Sequence, residues 1–287
     1  SVLLVVLQPA LITASLIDSD VRLAVHWWWG FPSILELRLL CRLATTGQPN
    51  ALPVDRWQEH LLPDLVGGDV ALLDQLWNTE TANAEQMLSQ VKAVAQNKGW
   101  TSERLHQWGL VGGQQVLRIQ VTQPSEAPPS ALRTLWAQGA LYSTEEHGIE
   151  LHTAALAILG RHHELRHRLW RGQAELVLPI LDNIRLELCN YLTRQYGNDW
   201  PVKWDEPDHP DEASAVRENP LACGWGHLGW LIRKCSGLQS ERRWLSLITS
   251  AAQIRNEIAH YRTITRSDFE HVFAQYRSFV RARLINQ

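Results

Sequence analysis

From Glu145 to Tyr196, leucine and alanine return every three to four positions with charged residues between them. That spacing predicts an amphipathic helix, as one bent segment or two. Pro179 removes a backbone donor in mid-pattern and predicts a kink near Val177. Three further segments repeat the spacing: about Gly226 to Cys235, Glu241 to Tyr261 and Ser267 to Leu284. Thr265 with Asp268 fits a capping box at the start of the last one. Between these groups, Gly197 to Pro220 carries four prolines and several acids and reads as a long loop. Antiparallel helices joined by mostly short turns make a bundle over residues 145–287.

The first part of the chain has a different texture. Continuous apolar runs at Val2 to Leu7 and Val21 to Trp28 read as strands covered on both faces. Helices are predicted over Pro32 to Leu43, Val54 to Leu62 with Asp55 in the first turn, Val70 to Leu76 and Ala82 to Gln96. Gln115 to Val121, with Val116, Leu117, Ile119 and Val121, reads as another strand. The segment Pro124 to Ser130 holds three prolines, which cannot propagate a helix or a central strand, and it marks the clearest boundary. The expected organisation is an α/β or mixed domain over 1–123, a linker and bridging helix over 124–144, and the bundle over 145–287. The fold class is mainly α. The start at Ser1 rather than Met suggests a fragment or a processed part of a longer chain. Its sixteen-residue apolar stretch is broken by Gln8 and Pro9 and falls short of the roughly 20 residues of a membrane helix.

Composition narrows the function. Apolar residues are 45% and charged residues 20% of the 287, which is globular rather than disordered. The net charge of −3 argues against a protein that coats nucleic acid through a global field. Its distribution is uneven: from Leu221 to Gln287, ten lysines and arginines face four acids, a local balance of +6. Nine of those cations are arginines, whose planar fork suits phosphate oxygens. The four cysteines lack paired spacing, so neither a disulfide framework nor a zinc site with His227 is indicated, and a reducing compartment fits. No phosphate-cradling glycine loop occurs, and no cofactor is implied.

The hexapeptide Arg255-Asn-Glu-Ile-Ala-His260 carries the chemistry. On a helix, Leu247, Ala251, Ile254, Ile258 and Tyr261 fall on one apolar stripe, while Asn256 and His260 stack four residues apart on the other side and Arg255 stands on the flank. Small Ala259 beside them leaves room for a second surface. Cleaving RNA by its own 2′-hydroxyl needs a group that moves protons near neutral pH and a fixed cation for the crowded phosphorane, roles that histidine and arginine fill without a metal. The pattern resembles that of the HEPN (higher eukaryotes and prokaryotes nucleotide-binding) domains, four-to-five-helix bundles marked by R-[polar]-x-x-x-H near the last helices. The resemblance implies a metal-independent endoribonuclease, a homodimer whose two motifs share one cleft, catalysis by Arg255 and His260, and support from Asn256. In HEPN toxins controlled by a nucleotidyltransferase, a tyrosine lies two residues after the histidine; here Tyr261 follows directly and Arg262 takes that place.

A second basic stretch, Arg161-His-His-Glu-Leu-Arg-His167 followed by Trp170, offers an RNA-contacting stripe of Arg161, Arg166 and His167, with Trp170 for base stacking, or simply a solvated helix face. Arg262 joins the expected RNA-binding set. His163 and His167 stand at i and i+4 but have no third metal ligand in evidence. The leading expectation is a cytoplasmic toxin or antiviral-defence ribonuclease with a regulatory or antitoxin partner and no membrane association. The competing readings are a non-catalytic dimerisation or scaffold module, and phosphate binding without cleavage.

Overall fold

The structure, a computed structural model, describes residues 33–44, 53–77, 84–110, 132–144, 148–204, 207 and 210–285. The expected strands at 2–7, 21–28 and 115–121 lie outside these residues. The rest is mainly helical, with one two-stranded hairpin among the described residues. No helix there is long and apolar enough to cross a membrane. The chain forms two compact units, Ser1–Pro49 with Leu61–Leu169 and Asn50–His60 with Trp170–Gln287.

The first unit contains α1 (Ile34–Ala44), most of α2 (Trp57–Val66), α3 (Val70–Trp77), α4 (Ala84–Asn97), α5 (Ser102–Gln107), α6 (Arg133–Ala137), the hairpin β1 (Leu141–Thr144) and β2 (Gly148–Leu151), and α7 (Thr153–Ile158). A reciprocal cap starts α1: the Glu36 amide donates to Ser33 Oγ at 3.1 Å, and the Ser33 amide donates to Glu36 Oε2 at 2.7 Å. Helix α7 is buried from Thr153 to Ala157, and its alanines are small enough to pack closely on α4, which buries Met87, Leu88, Val91 and Ala95. In the hairpin Leu141 faces Leu151 and Tyr142 faces Glu150. The Tyr142 ring lies against Gly67, where φ is +61° and a Cβ would meet Cζ at 2.2 Å, so only glycine fits.

Here the helical reading of Glu145 onward needs correction. Residues 148–151 pair as a strand, and the long helix α8 begins only at His162 and runs unbroken through Pro179 to Tyr196. Ile149 and Leu151 point inward while residues 148 and 150 are less buried, a period of two that the nearby leucines mask. The hairpin, α7 and the first turns of α8 also belong to the first unit, so the division falls between Leu169 and Trp170 rather than near 145.

The second unit packs the rest of α8 with α9 (Pro210–Glu218), α10 (Trp225–Lys234), a 3₁₀ segment (Ser236–Trp244), α11 (Leu245–Ala259) and α12 (Arg266–Ile285). Helix α9 occupies part of the stretch expected to be loop; Asp211 and Glu212 in its first turn suit a helix start, and Ala213 and Val216 anchor it. Gly229 brings α10 close to Ile248 of α11, where a Cβ would meet Cγ2 at 3.3 Å. Helix α12 starts with the expected box, the Thr265 amide on Asp268 Oδ2 at 3.0 Å and the Asp268 amide on Thr265 Oγ1 at 3.1 Å. It is tied to α8 by Tyr276, whose hydroxyl donates to Glu187 at 2.8 Å, and by Arg283 on the same carboxylate at 3.1 Å. The buried Glu241 carboxylate is satisfied by Trp244 Nε1 at 3.1 Å and the Tyr196 hydroxyl at 3.0 Å.

Candidate functional site

Helix α11 buries Leu247, Ile248, Ala251, Ile254 and Ile258, and this stripe turns Arg255, Asn256 and His260 outward, where all three are exposed. Arg255 Nη1 donates to Asn256 Oδ1 at 3.2 Å. The structure thus brings Arg255 and Asn256 into contact and places His260 one turn beyond Asn256, at the helix C-cap. Tyr261 does not continue the buried stripe. The helix has ended, and its side chain is 68% exposed.

The way the helix ends fixes where His260 sits. The Tyr261 amide donates to the Ile258 carbonyl at 3.1 Å and the Arg262 amide to the Glu257 carbonyl at 2.9 Å, the paired bonds of a Schellman turn. That turn needs a left-handed residue after the cap, a place usually given to glycine, and here Tyr261 takes it with φ +59°. Trp170 of α8 holds the conformation: its ring lies 4.6 Å from the Tyr261 ring, and its Nε1 donates to the same Ile258 carbonyl at 2.7 Å. One turn further along α8, buried Gln173 clasps the backbone of Ile264, donating to its carbonyl and accepting from its amide, both at 2.9 Å.

Trp170 is therefore a positioning residue for the segment after His260, and its indole is committed to Tyr261 and Ile258 rather than offered to a base. Neither Trp170 nor Gln173 stood out as a support for this turn, because each acts across about ninety residues of sequence. Trp170→Phe is expected to cost about 1 kcal/mol, the net worth of one hydrogen bond. It should also speed amide exchange of Tyr261 and Arg262 while leaving that of Leu247 to Ala251 unchanged. Equal exchange at all these amides would show that the indole N–H does not hold the turn.

Arg262 is engaged as well. Its Nη2 donates to Glu257 Oε1 at 2.9 Å and its Nε to the other carboxylate oxygen. That bond first, and then the charges of Arg262 and His260, hold the Glu257 carboxyl below its ordinary range. Arg161, Arg166 and His167 lie in the first unit, where Arg161 pairs with Glu164. Arg168 beside them is buried, on Thr153 Oγ1 at 2.6 Å and the Leu151 carbonyl at 2.8 Å, so part of that basic stretch is internal structure.

Arg255 and Asn256 also border an open groove of about 860 Å³ between α8, α10 and α11, together with Asp182, His227 and Trp230. His260 is not among its lining residues. The groove left no local signal in the sequence because its walls come from segments dozens of residues apart. All four cysteines are buried free thiols. Among the described residues, no three His, Cys, Asp or Glu side chains come together to hold a metal ion. Compared with known proteins, the chain matches no family model, no curated protein and no solved structure.

Proposed function

We propose that this chain is a metal-independent endoribonuclease of HEPN type, acting as a homodimer in a toxin or antiviral-defence system, with Arg255, Asn256 and His260 as its cleaving residues. The observation that carries the reading is the exposure of all three on one end of α11, with the turn after His260 clamped by Trp170 and Gln173. A histidine held by a rigid segment is what proton transfer requires, since the group must meet the reacting oxygen at hydrogen-bond distance.

In the proposed reaction the RNA 2′-oxygen attacks the adjacent phosphorus and the bond to the 5′-oxygen breaks, giving a 2′,3′-cyclic phosphate and a 5′-hydroxyl. A proton leaves the 2′-oxygen and another reaches the departing 5′-oxygen. These oxygens lie on opposite sides of the phosphorus, and each chain carries one His260, so a second copy supplies the second imidazole. Arg255 steadies the charge on the phosphoryl oxygens, and Asn256, bonded to it, orients its guanidinium.

Incubating a mixed RNA pool with the wild type in EDTA tests the proposal, beside folded Arg255→Ala and His260→Ala proteins. Chelator-resistant cutting that ends in cyclic phosphate and is lost in both variants supports it. A folded, dimeric wild type that cuts nothing favours the scaffold reading, in which the same surface only joins chains.

A further inference from the structure

The groove beside Arg255 has a chemistry of its own. Trp230 lines it and leaves 42% of its surface exposed. The His227 ring lies parallel to it, with an interplanar angle of 4° and centroids 6.3 Å apart. The His227 ring is locked by its Nε2–H, which donates to the Pro201 carbonyl at 2.9 Å. Two carboxylates, Asp182 and Glu212, also line the groove. Asp182 is fixed by Arg185, whose Nη2 lies 2.8 Å from Oδ1, and Arg185 is itself tied to the Cys223 carbonyl at 3.0 Å. The Asp182 side chain still exposes 57% of its surface, which leaves room for further donors. Arg255 and Asn256 complete the polar lining.

This combination is poorly suited to a bare phosphate, since the two carboxylates balance Arg185 and Arg255. It suits a nucleotide. An aromatic face stacks on the base, carboxylates accept from amino groups on the base edge, and a guanidinium meets the phosphate. A volume of about 860 Å³ lies within the usual range for small-ligand sites and exceeds what a single base fills.

We propose that this groove binds an RNA base next to the phosphate held by Arg255, stacking it on Trp230 and selecting bases that carry an exocyclic amino group, adenine, cytosine or guanine, over uracil through Asp182 and Glu212. The proposal rests on the ribonuclease reading and adds a specificity site to it. Uracil presents its O4 where cytosine presents the N4 amino group, and an oxygen facing a carboxylate is repelled.

The test is equilibrium binding of short 2′-O-methyl oligonucleotides of A, C or U, which lack the attacking hydroxyl, so that binding is read without cleavage. The wild type is expected to bind oligo(A) and oligo(C) more tightly than oligo(U). Trp230→Ala should weaken the first two roughly 10- to 100-fold, and Trp230→Phe, which keeps a stacking face, should restore most of the loss. Asp182→Asn, which can still bond Arg185 through its amide oxygen, should erase the preference over U. Equal binding by wild type and Trp230→Ala, equal affinity for all three oligonucleotides, or no oligonucleotide binding at all would overturn the proposal. So would capture of an arginine-rich peptide in place of the oligonucleotides. If binding follows the expected pattern but unmodified RNA survives intact, the groove stands and the ribonuclease reading fails. If RNA is cut but Trp230→Ala binds normally, the reverse holds.

Discussion

His260→Ala is expected to lower the rate of RNA cleavage roughly 10²- to 10⁴-fold, the usual contribution of a positioned acid or base, while the protein keeps its fold. The fold should survive because His260 is exposed and its structural part is played by the backbone, whose amide bonds the Asn256 carbonyl at 3.0 Å whatever side chain follows. Arg255→Ala removes the cation and should cost roughly 10²- to 10³-fold, in line with losing one stabilising donor from a developing anion. Arg255→Lys keeps the charge but not the planar fork and should recover only part of it. A composite site that takes one imidazole from each copy predicts that His260→Ala protein mixed into the wild type forms one-imidazole heterodimers that silence the wild-type chains they capture. Activity that falls faster than the fraction of wild-type chains, with circular dichroism and sedimentation unchanged, would separate a shared cleft from two independent sites. A His260→Ala protein that cuts at the wild-type rate ends the catalytic assignment.

Much of this arrangement was legible in the sequence, and the exceptions have physical causes. The stripe of Leu247, Ala251, Ile254 and Ile258 set the facing of Arg255 and Asn256, because a 3.6-residue period over fifteen residues leaves one solution. The box at Thr265 and Asp268 was equally clear, since both partners sit within one turn. Tyr261 was misplaced because the Schellman turn lacks its customary glycine. What selects the left-handed conformation there is Trp170, and long-range packing leaves no mark on local sequence. The strand at Gly148 to Leu151 was absorbed into a helical pattern because four residues give too few periods to separate two from 3.6. His152, the residue that follows the strand, went unnoticed for another reason: a lone histidine carries no motif, and its partner Asp69 is eighty-three positions away.

That histidine yields the largest stability prediction. The Ala154 amide donates to its Nδ1 at 3.0 Å, which caps α7, so Nε2 carries the proton and donates to Asp69 Oδ2 at 2.8 Å. Trp100 meets the ring edge-on at 5.2 Å, and only 3% of the residue is exposed. Burial pushes the imidazole below its ordinary 6.5 against the pull of Asp69, and Lys98 and Arg168 push the same way. Burial alone would raise Asp69, but the hydrogen bond from His152, the Leu72 amide and the Lys98 ammonium together hold it well below the ordinary 3.8. His152→Ala deletes a helix cap and a hydrogen bond to a charged group, and should cost about 3 kcal/mol. The cost should depend on pH in a fixed direction. Below 6.5 the unfolded chain binds a proton at this position that the folded chain refuses, so wild-type stability falls as the pH drops, by up to about 1.4 kcal/mol per unit from this group. The alanine variant lacks that loss, so the gap between the two proteins should be widest above pH 7 and narrow toward pH 5, a window that closes before Asp69 begins to titrate. Urea unfolding at pH 7.5, 6.5, 5.5 and 5.0, with hydrogen exchange over Thr153–Ile158 to assign the transition to the first unit, measures the gap. A gap that stays constant or grows with acid would mean that His152 is already protonated in the folded state, with Ala154 uncapped.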